Sequence, residues 1–268
     1  MKKLLLIILV FSYPSIKLFC QSNKGTLSLS IGPSFPLGNY AKTDQANNLS
    51  GYSKAGESIN ISFNYKLNNG VVFEAMLYGE RNGLNTKAFA NQFSEAGFFT
   101  FYGDPRYYSN WTIDKKSWNV ESLLLGVTRH WPIGKPNGRI SILAKTLLGL
   151  AYVQSPELNA NSKTDTSYVI LHQNNASAIG TSFLLSAGVE YRLSKKIGIV
   201  FSCDYFGTTQ ILFKNITEGI AATNGGLRVP KIYSLPNSES TPIAESITDN
   251  SKQTIISINI KLGICFTL

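Results

Sequence analysis

The residues able to do chemistry are few and stand apart. The chain has two histidines and three cysteines in 268 residues. His130 sits in Arg129-His130-Trp131-Pro132, just before a turn at Gly134 to Gly138, and His172 sits among Gln173, Asn174 and Asn175 in a polar stretch. A general base needs a proton donor within hydrogen-bond reach and a group that orients it. Neither histidine has such a companion in the sequence. There is no nucleophile motif, no Cys/His metal spacing and no glycine-rich phosphate loop. We therefore expect no enzyme, with no catalytic, cofactor-binding or metal-ligating residue and no cofactor.

A second set of residues is more telling. Lys66, Glu74, Glu80, Arg139, Lys145, Glu190, Arg192, Asp204 and Lys261 each stand in a segment where polar and apolar residues alternate, on the polar phase. Glu121 and Arg129 are assigned to the same set by charge, although Leu123-Leu124-Leu125 interrupts the alternation there. Charges of mixed sign turned toward one another away from bulk water must pair or be hydrated. The expected chemistry is a network of ion pairs that plugs an interior. A gated ion path is the alternative.

Strands must position this set, because successive side chains of a strand point to opposite faces. The last stretch is the clearest. Ile256, Ile258, Ile260, Leu262, Ile264, Phe266 and Leu268 alternate with Ser257, Asn259, Lys261, Gly263, Cys265 and Thr267. The same pattern recurs at about 24–35, 57–67, 71–81, 117–131, 139–153, 179–193 and 197–209. Tight-turn signals at Asn68-Asn69-Gly70, Gly134 to Gly138 and Ser194-Lys195-Lys196 join alternate pairs. Long polar connections join the others, so every short turn and both termini fall on one side. Membrane barrels have that asymmetry. A strand crosses a bilayer in about 9–11 tilted residues. The fold expected is all-β: an eight-stranded antiparallel up-and-down transmembrane β-barrel with long extracellular loops and short periplasmic turns. Ten strands are the variant, with hairpins in the second and fourth loops. Tyr65, Trp131, Tyr191 and Phe266 would girdle the periplasmic end, and Tyr78, Trp118, Tyr152 and Tyr205 the outer end.

The start of the chain agrees with export. Lys2 and Lys3 precede an apolar run from Leu4 to Phe11, and Cys20-Gln21 is the expected cleavage junction. Residues 1–20 read as a signal peptide and 21–268 as the barrel domain. Phe19 stands where a lipoprotein signal has a small residue, so Cys20 is not read as a lipid anchor. The basic excess, +9 over the whole chain, sits at strand ends and turns such as Lys66, Lys135, Arg139, Arg192, Lys195 and Lys196. That distribution suits headgroups and not a nucleic-acid groove. Parity places Cys203 outside and Cys265 inside, so two free thiols are expected.

Two segments carry a family likeness. Gly32-Pro33-Ser34-Phe35-Pro36-Leu37-Gly38-Asn39-Tyr40, followed by Gly51-Tyr52-Ser53-Lys54-Ala55-Gly56, resembles the opening hairpin of outer-membrane β-barrel domain proteins. These are small OmpA- and OmpX-type, porin-like barrels of Gram-negative bacteria. Lys261, Gly263, Phe266 and Leu268 match the signal by which such barrels are recognised for insertion, though two residues follow Phe266 where many end on the aromatic. The resemblance implies the bacterial outer membrane, contact with its lipids, the barrel-assembly machinery as a partner during insertion, and no shared catalytic residues. The expected role is structural or surface-interacting, with an extracellular protein or glycan met through the loops. Best placed is the segment 82–116, with Phe98, Phe99, Phe101, Tyr102, Tyr107, Tyr108 and Trp111. A channel or accessory subunit of a secretion or uptake complex is the alternative. A lipid-modifying enzyme is the least favoured, since His130 falls at the periplasmic end.

Overall fold

The computed structural model describes residues 25–44, 49–67, 70–95, 111–114, 116–134, 138–163, 167–224 and 243–268. The expected signal segment, 1–20, and the loop aromatics between 98 and 108 lie outside the described residues.

Numbered in chain order, eight strands close into a barrel. They are β1 (Gly25–Pro36), β2 (Ser53–Lys66), β3 (Val71–Leu84), β5 (Ser117–Pro132), β6 (Ile140–Gln154), β9 (Ser177–Arg192), β10 (Ile197–Thr208) and β13 (Ile256–Thr267). The order around the wall is β1-β13-β10-β9-β6-β5-β3-β2, and every pair is antiparallel. Each strand has 12 to 16 residues, enough to cross the hydrocarbon layer at a tilt. Closure leaves no barrel edge with unpaired amides, which a hydrocarbon solvent requires.

The alternation is turned inside out relative to a soluble protein. Ile31, Leu148, Ile179 and Leu262 are 59, 66, 69 and 60% exposed. Their strand neighbours Ser30, Ser182 and Lys261 are 8, 3 and 1% exposed. A continuous apolar belt of this kind has no stable place in water. Against acyl chains it is the satisfied surface.

Two charges expected inside are outside. Glu121 and Arg129 share the outward phase of Leu123, Leu125 and Val127 and are exposed. Both stand near strand ends, where an outward side chain reaches the headgroup layer. Arg129 lies over the ring of Trp131, 5.6 Å from its centroid. The expected girdle at the outer end also loses two members. Tyr78 and Trp118 are 3 and 8% exposed and point into the bore. At the turn end Trp131, Tyr191 and Phe266 do face outward.

The outer connections hold more structure than their polar sequence suggests. Five further strands form a second sheet: β4 (Trp111–Ile113), β7 (Leu158–Lys163), β8 (Ser167–Gln173), β11 (Ile211–Asn224) and β12 (Ile243–Gln253). Its order, β12-β11-β8-β7-β4, repeats the barrel order β13-β10-β9-β6-β5. Each strand therefore continues a wall strand past a short break. The fourth connection does hold a hairpin, as the ten-strand variant expected; the third holds one as well, and the second contributes β4. On the side of β1 to β3 the described residues carry instead a 3-10 turn (Gly38–Tyr40) and a helix, α1 (Thr86–Glu95).

Candidate functional site

The bore has two halves, both lined by the inward phase of the same strands. In the outer half apolar side chains are buried against one another. Met76, Val120, Leu124, Leu147, Ala151, Val153, Leu184 and Phe206 are buried together, with Ile211, Phe213 and Ile255 above them. The Tyr78 and Phe206 rings stack at 4.4 Å. Tyr40, carried by the 3-10 turn, meets Trp118 edge-on at 5.7 Å, and the Trp118 indole N–H donates to the Gly51 carbonyl (2.9 Å). A Cβ at Gly51 would lie 2.5 Å from the Tyr40 carbonyl oxygen, so glycine is required where the loop presses onto the seal. Burial, with Glu80 nearby, pushes the Tyr40 hydroxyl far above its ordinary titration range and keeps it neutral.

On the β1–β3–β13 side this packed layer holds one buried carboxylate. Glu80 accepts from the Tyr78 hydroxyl, the Asn82 amide and the Ser257 hydroxyl. Asn259 donates to the Tyr78 oxygen (3.0 Å). Three donors substitute for the water the carboxylate has lost.

Below lies a layer of ion pairs. Lys261 Nζ is 3.3 Å from Asp204 and 4.4 Å from the centroid of the Tyr78 ring above it. The Ser186 hydroxyl donates to Asp204 (2.6 Å). Lys145 meets Glu74 at 2.8 Å, and Thr128 donates to the same carboxylate.

At the turn end the bore widens into a polar chamber of about 1080 Å³. Its wall carries Lys66, Arg139, Lys145, Arg192 and Lys195 against Glu74 and Glu190. Glu190 is held by His130 (3.2 Å) and Arg192 (3.3 Å).

Of the inward charges expected, Lys66, Glu74, Glu80, Arg139, Lys145, Glu190, Arg192, Asp204 and Lys261 do lie on the inner phase, while Glu121 and Arg129 lie on the outward one, Arg129 close enough to the strand end to border the chamber's rim. The buried pairs Lys261–Asp204 and Lys145–Glu74 share the bore with an apolar layer. The seal is mainly apolar, and the charges lie beneath it or, for Glu80, at its side. Sequence reasoning missed His130 as a partner of Glu190. The cue was present: His130 stands one residue from Arg129, on the opposite phase. His172 lies on β8 with its ring nitrogen 2.6 Å from Asn159. Among the described residues no cluster of His, Cys, Asp and Glu could hold a metal ion. Cys203 is exposed on the outer face and Cys265 is buried inside, both as free thiols. Gly263 lies at the seam, where a Cβ would meet the Ser30 hydroxyl at 2.0 Å, and Phe266 is 43% exposed outward. The Leu268 amide donates to the Gly25 carbonyl (2.9 Å), so the last residue also closes the seam.

No family model and no curated protein matches the sequence. Solved structures similar to it include Neisserial surface protein A, at 8% identity and a TM-score of 0.45, covering 92% of this chain and 98% of that one. A major outer membrane protein of Thermus thermophilus is similar at 11% identity and a TM-score of 0.43, covering 90 and 98%. The attachment invasion locus protein Ail of Yersinia pestis is similar at 14% identity and a TM-score of 0.36, covering 91 and 99%. The closed wall, the outward apolar belt and the polar inner phase make the fold that of a small outer-membrane β-barrel.

Proposed function

We propose that the protein is a non-conducting barrel of the bacterial outer membrane whose role is surface interaction. It carries its outer sheet to an extracellular protein or glycan. One observation supports this most: the bore is packed shut at the level where five wall strands run on into a second sheet. A conduit needs a continuous wet path, and Leu124, Leu147, Leu184 and Phe206, each 0% exposed, interrupt it. A scaffold for recognition needs a rigid base under its variable surface, and the seal fixes the outer sheet to the barrel.

The apolar belt makes outer-membrane lipid the constant partner. Lys261, Gly263, Phe266 and Leu268 would be met by the assembly machinery during insertion.

Two measurements test the reading. Purified protein in a planar bilayer should give no stable single-channel conductance, and a large steady one would overturn the sealed bore. Replacing 158–173 by a short turn should leave the barrel closed while abolishing partner capture in crosslinked outer membranes. Retained capture would sink the assignment to the outer sheet.

A further inference from the structure

We propose that the chamber at the turn end binds a phosphate ester through Arg139 and Arg192. The two arginines are cross-strand neighbours. The Arg192 amide donates to the Arg139 carbonyl (2.7 Å), extending the β6–β9 register in which Ile140 faces Tyr191 and Ser141 faces Glu190. Both carry the inward phase and line the chamber. Like charges directly opposite on one sheet face repel. The nearest relief is Glu190, already shared between His130 and Arg192 Nε. Arg139 has no ion pair among the described residues.

The surroundings add to the excess. Lys66 and Lys195 reach the same space with no carboxylate paired to them among the described residues. Two residues deeper than Arg139, on its own face, the Ser141 hydroxyl is 1% exposed and has no hydrogen-bond partner among the described residues. Beside Arg192, strand β10 places Gly198, whose missing side chain leaves room for the Cys265 thiol and the Glu190 carboxylate. Two guanidiniums that line one open space, with an unpartnered hydroxyl in the wall beneath them, suit a tetrahedral oxyanion. The chamber, about 1080 Å³, exceeds what phosphate alone occupies, so the anion is taken as one end of an ester. Turn residues line its mouth, level with the headgroups, so the ester is a soluble metabolite or a phospholipid head.

Barrels in phosphatidylcholine nanodiscs are titrated calorimetrically with glycerol 3-phosphate at constant ionic strength. In parallel, thermal unfolding is compared with and without phosphatidic acid in the disc. Saturable binding in phosphatidylcholine identifies a soluble ester. A stabilisation confined to phosphatidic acid identifies a headgroup. Either response should fall at least about tenfold in Arg139→Gln/Arg192→Gln, the scale of losing charge-assisted hydrogen bonds. It should persist in Lys116→Gln, which removes a cation beyond the seal. Heat-modifiable gel mobility verifies that each variant closes. Should the double variant fail to close, Ser141→Ala and Arg139→Lys replace it, with the same direction expected. No response in the parent protein, or an equal response in the variants, overturns the proposal.

Discussion

Toward the outer end of the bore the inward positions hold Met76, Leu124, Leu147, Leu184 and Phe206, buried against one another. Toward the turn end Ser28, Asn64, Thr128, Arg139 and Arg192 line open space. Backbone geometry does not distinguish the halves, since both use alternate residues of one closed wall. Side-chain chemistry does. The outer half is a small hydrophobic core of the ordinary kind, held by burial. The inner half is a polar cavity with an excess of positive charge. Among the described residues the outer half of the bore is therefore filled chiefly by apolar packing, with ion pairs at the floor of that layer.

The contrast can be broken most sharply at the boundary. Lys261→Met leaves Asp204 buried with only the Ser186 hydroxyl bonded to it among the described residues, and should lower stability by about 3–5 kcal/mol, the scale for an orphaned buried charge. Adding Asp204→Leu should recover most of that loss in urea unfolding from detergent. A silent single substitution would mean that water reaches this layer. Next in size is Phe206→Ala within the seal. It removes the partner of the Tyr78 ring and should lower stability by about 3 kcal/mol. The same assay reads it, and a change below about 1 kcal/mol would deny the outer half its packed character.

Leu262→Arg tests the outward face of the same strand that carries Lys261. A cation near the middle of the apolar belt should destabilise by about 2–4 kcal/mol, read as incomplete insertion into vesicles. Normal insertion would contradict the lipid-facing belt. The smallest effect belongs to the breaks between the wall and the outer sheet. Lys116 lowers the Glu157 carboxyl below its ordinary range, helped by Asn159. A lowered folded value means that this support is complete above the unfolded pKa and is lost as pH falls through the folded one. The pair is solvent-exposed, so Lys116→Ala should change stability at neutral pH by no more than about 0.5 kcal/mol. That difference should vanish in acid when melting temperatures are compared.

The barrel was legible because lipid and lumen impose opposite chemistries on alternate residues. Ile256 to Leu268 shows this without ambiguity, and β1, β2, β6, β9 and β10 nearly so. Legibility failed where the inside stopped being polar. Leu123-Leu124-Leu125 breaks the alternation because Leu124 belongs to the seal, so charge does not mark the interior there and Glu121 and Arg129 face outward. Tyr78 and Trp118 failed similarly: an aromatic at a strand end reads as a girdle residue, yet both sit on the inward phase. The second sheet was hidden for another reason. Leu158 to Lys163 is largely polar and lacks the period-two contrast that reveals a strand in lipid. Its pairing is set by the wall strands it prolongs. The chamber was legible only as a set of residues. The sequence shows Arg139 and Arg192, but their adjacency needs the β6–β9 register.

Cys203 and Cys265 stand on neighbouring strands and face opposite ways, one toward the belt and one toward the chamber wall. The molecule thus carries its own sidedness reporter. A maleimide that partitions into membranes should label the first thiol, while a water-borne one must enter through the turn end to find the second. Without any engineered probe, relative labelling rates would show which way a reconstituted population is threaded and how freely small solutes reach its interior.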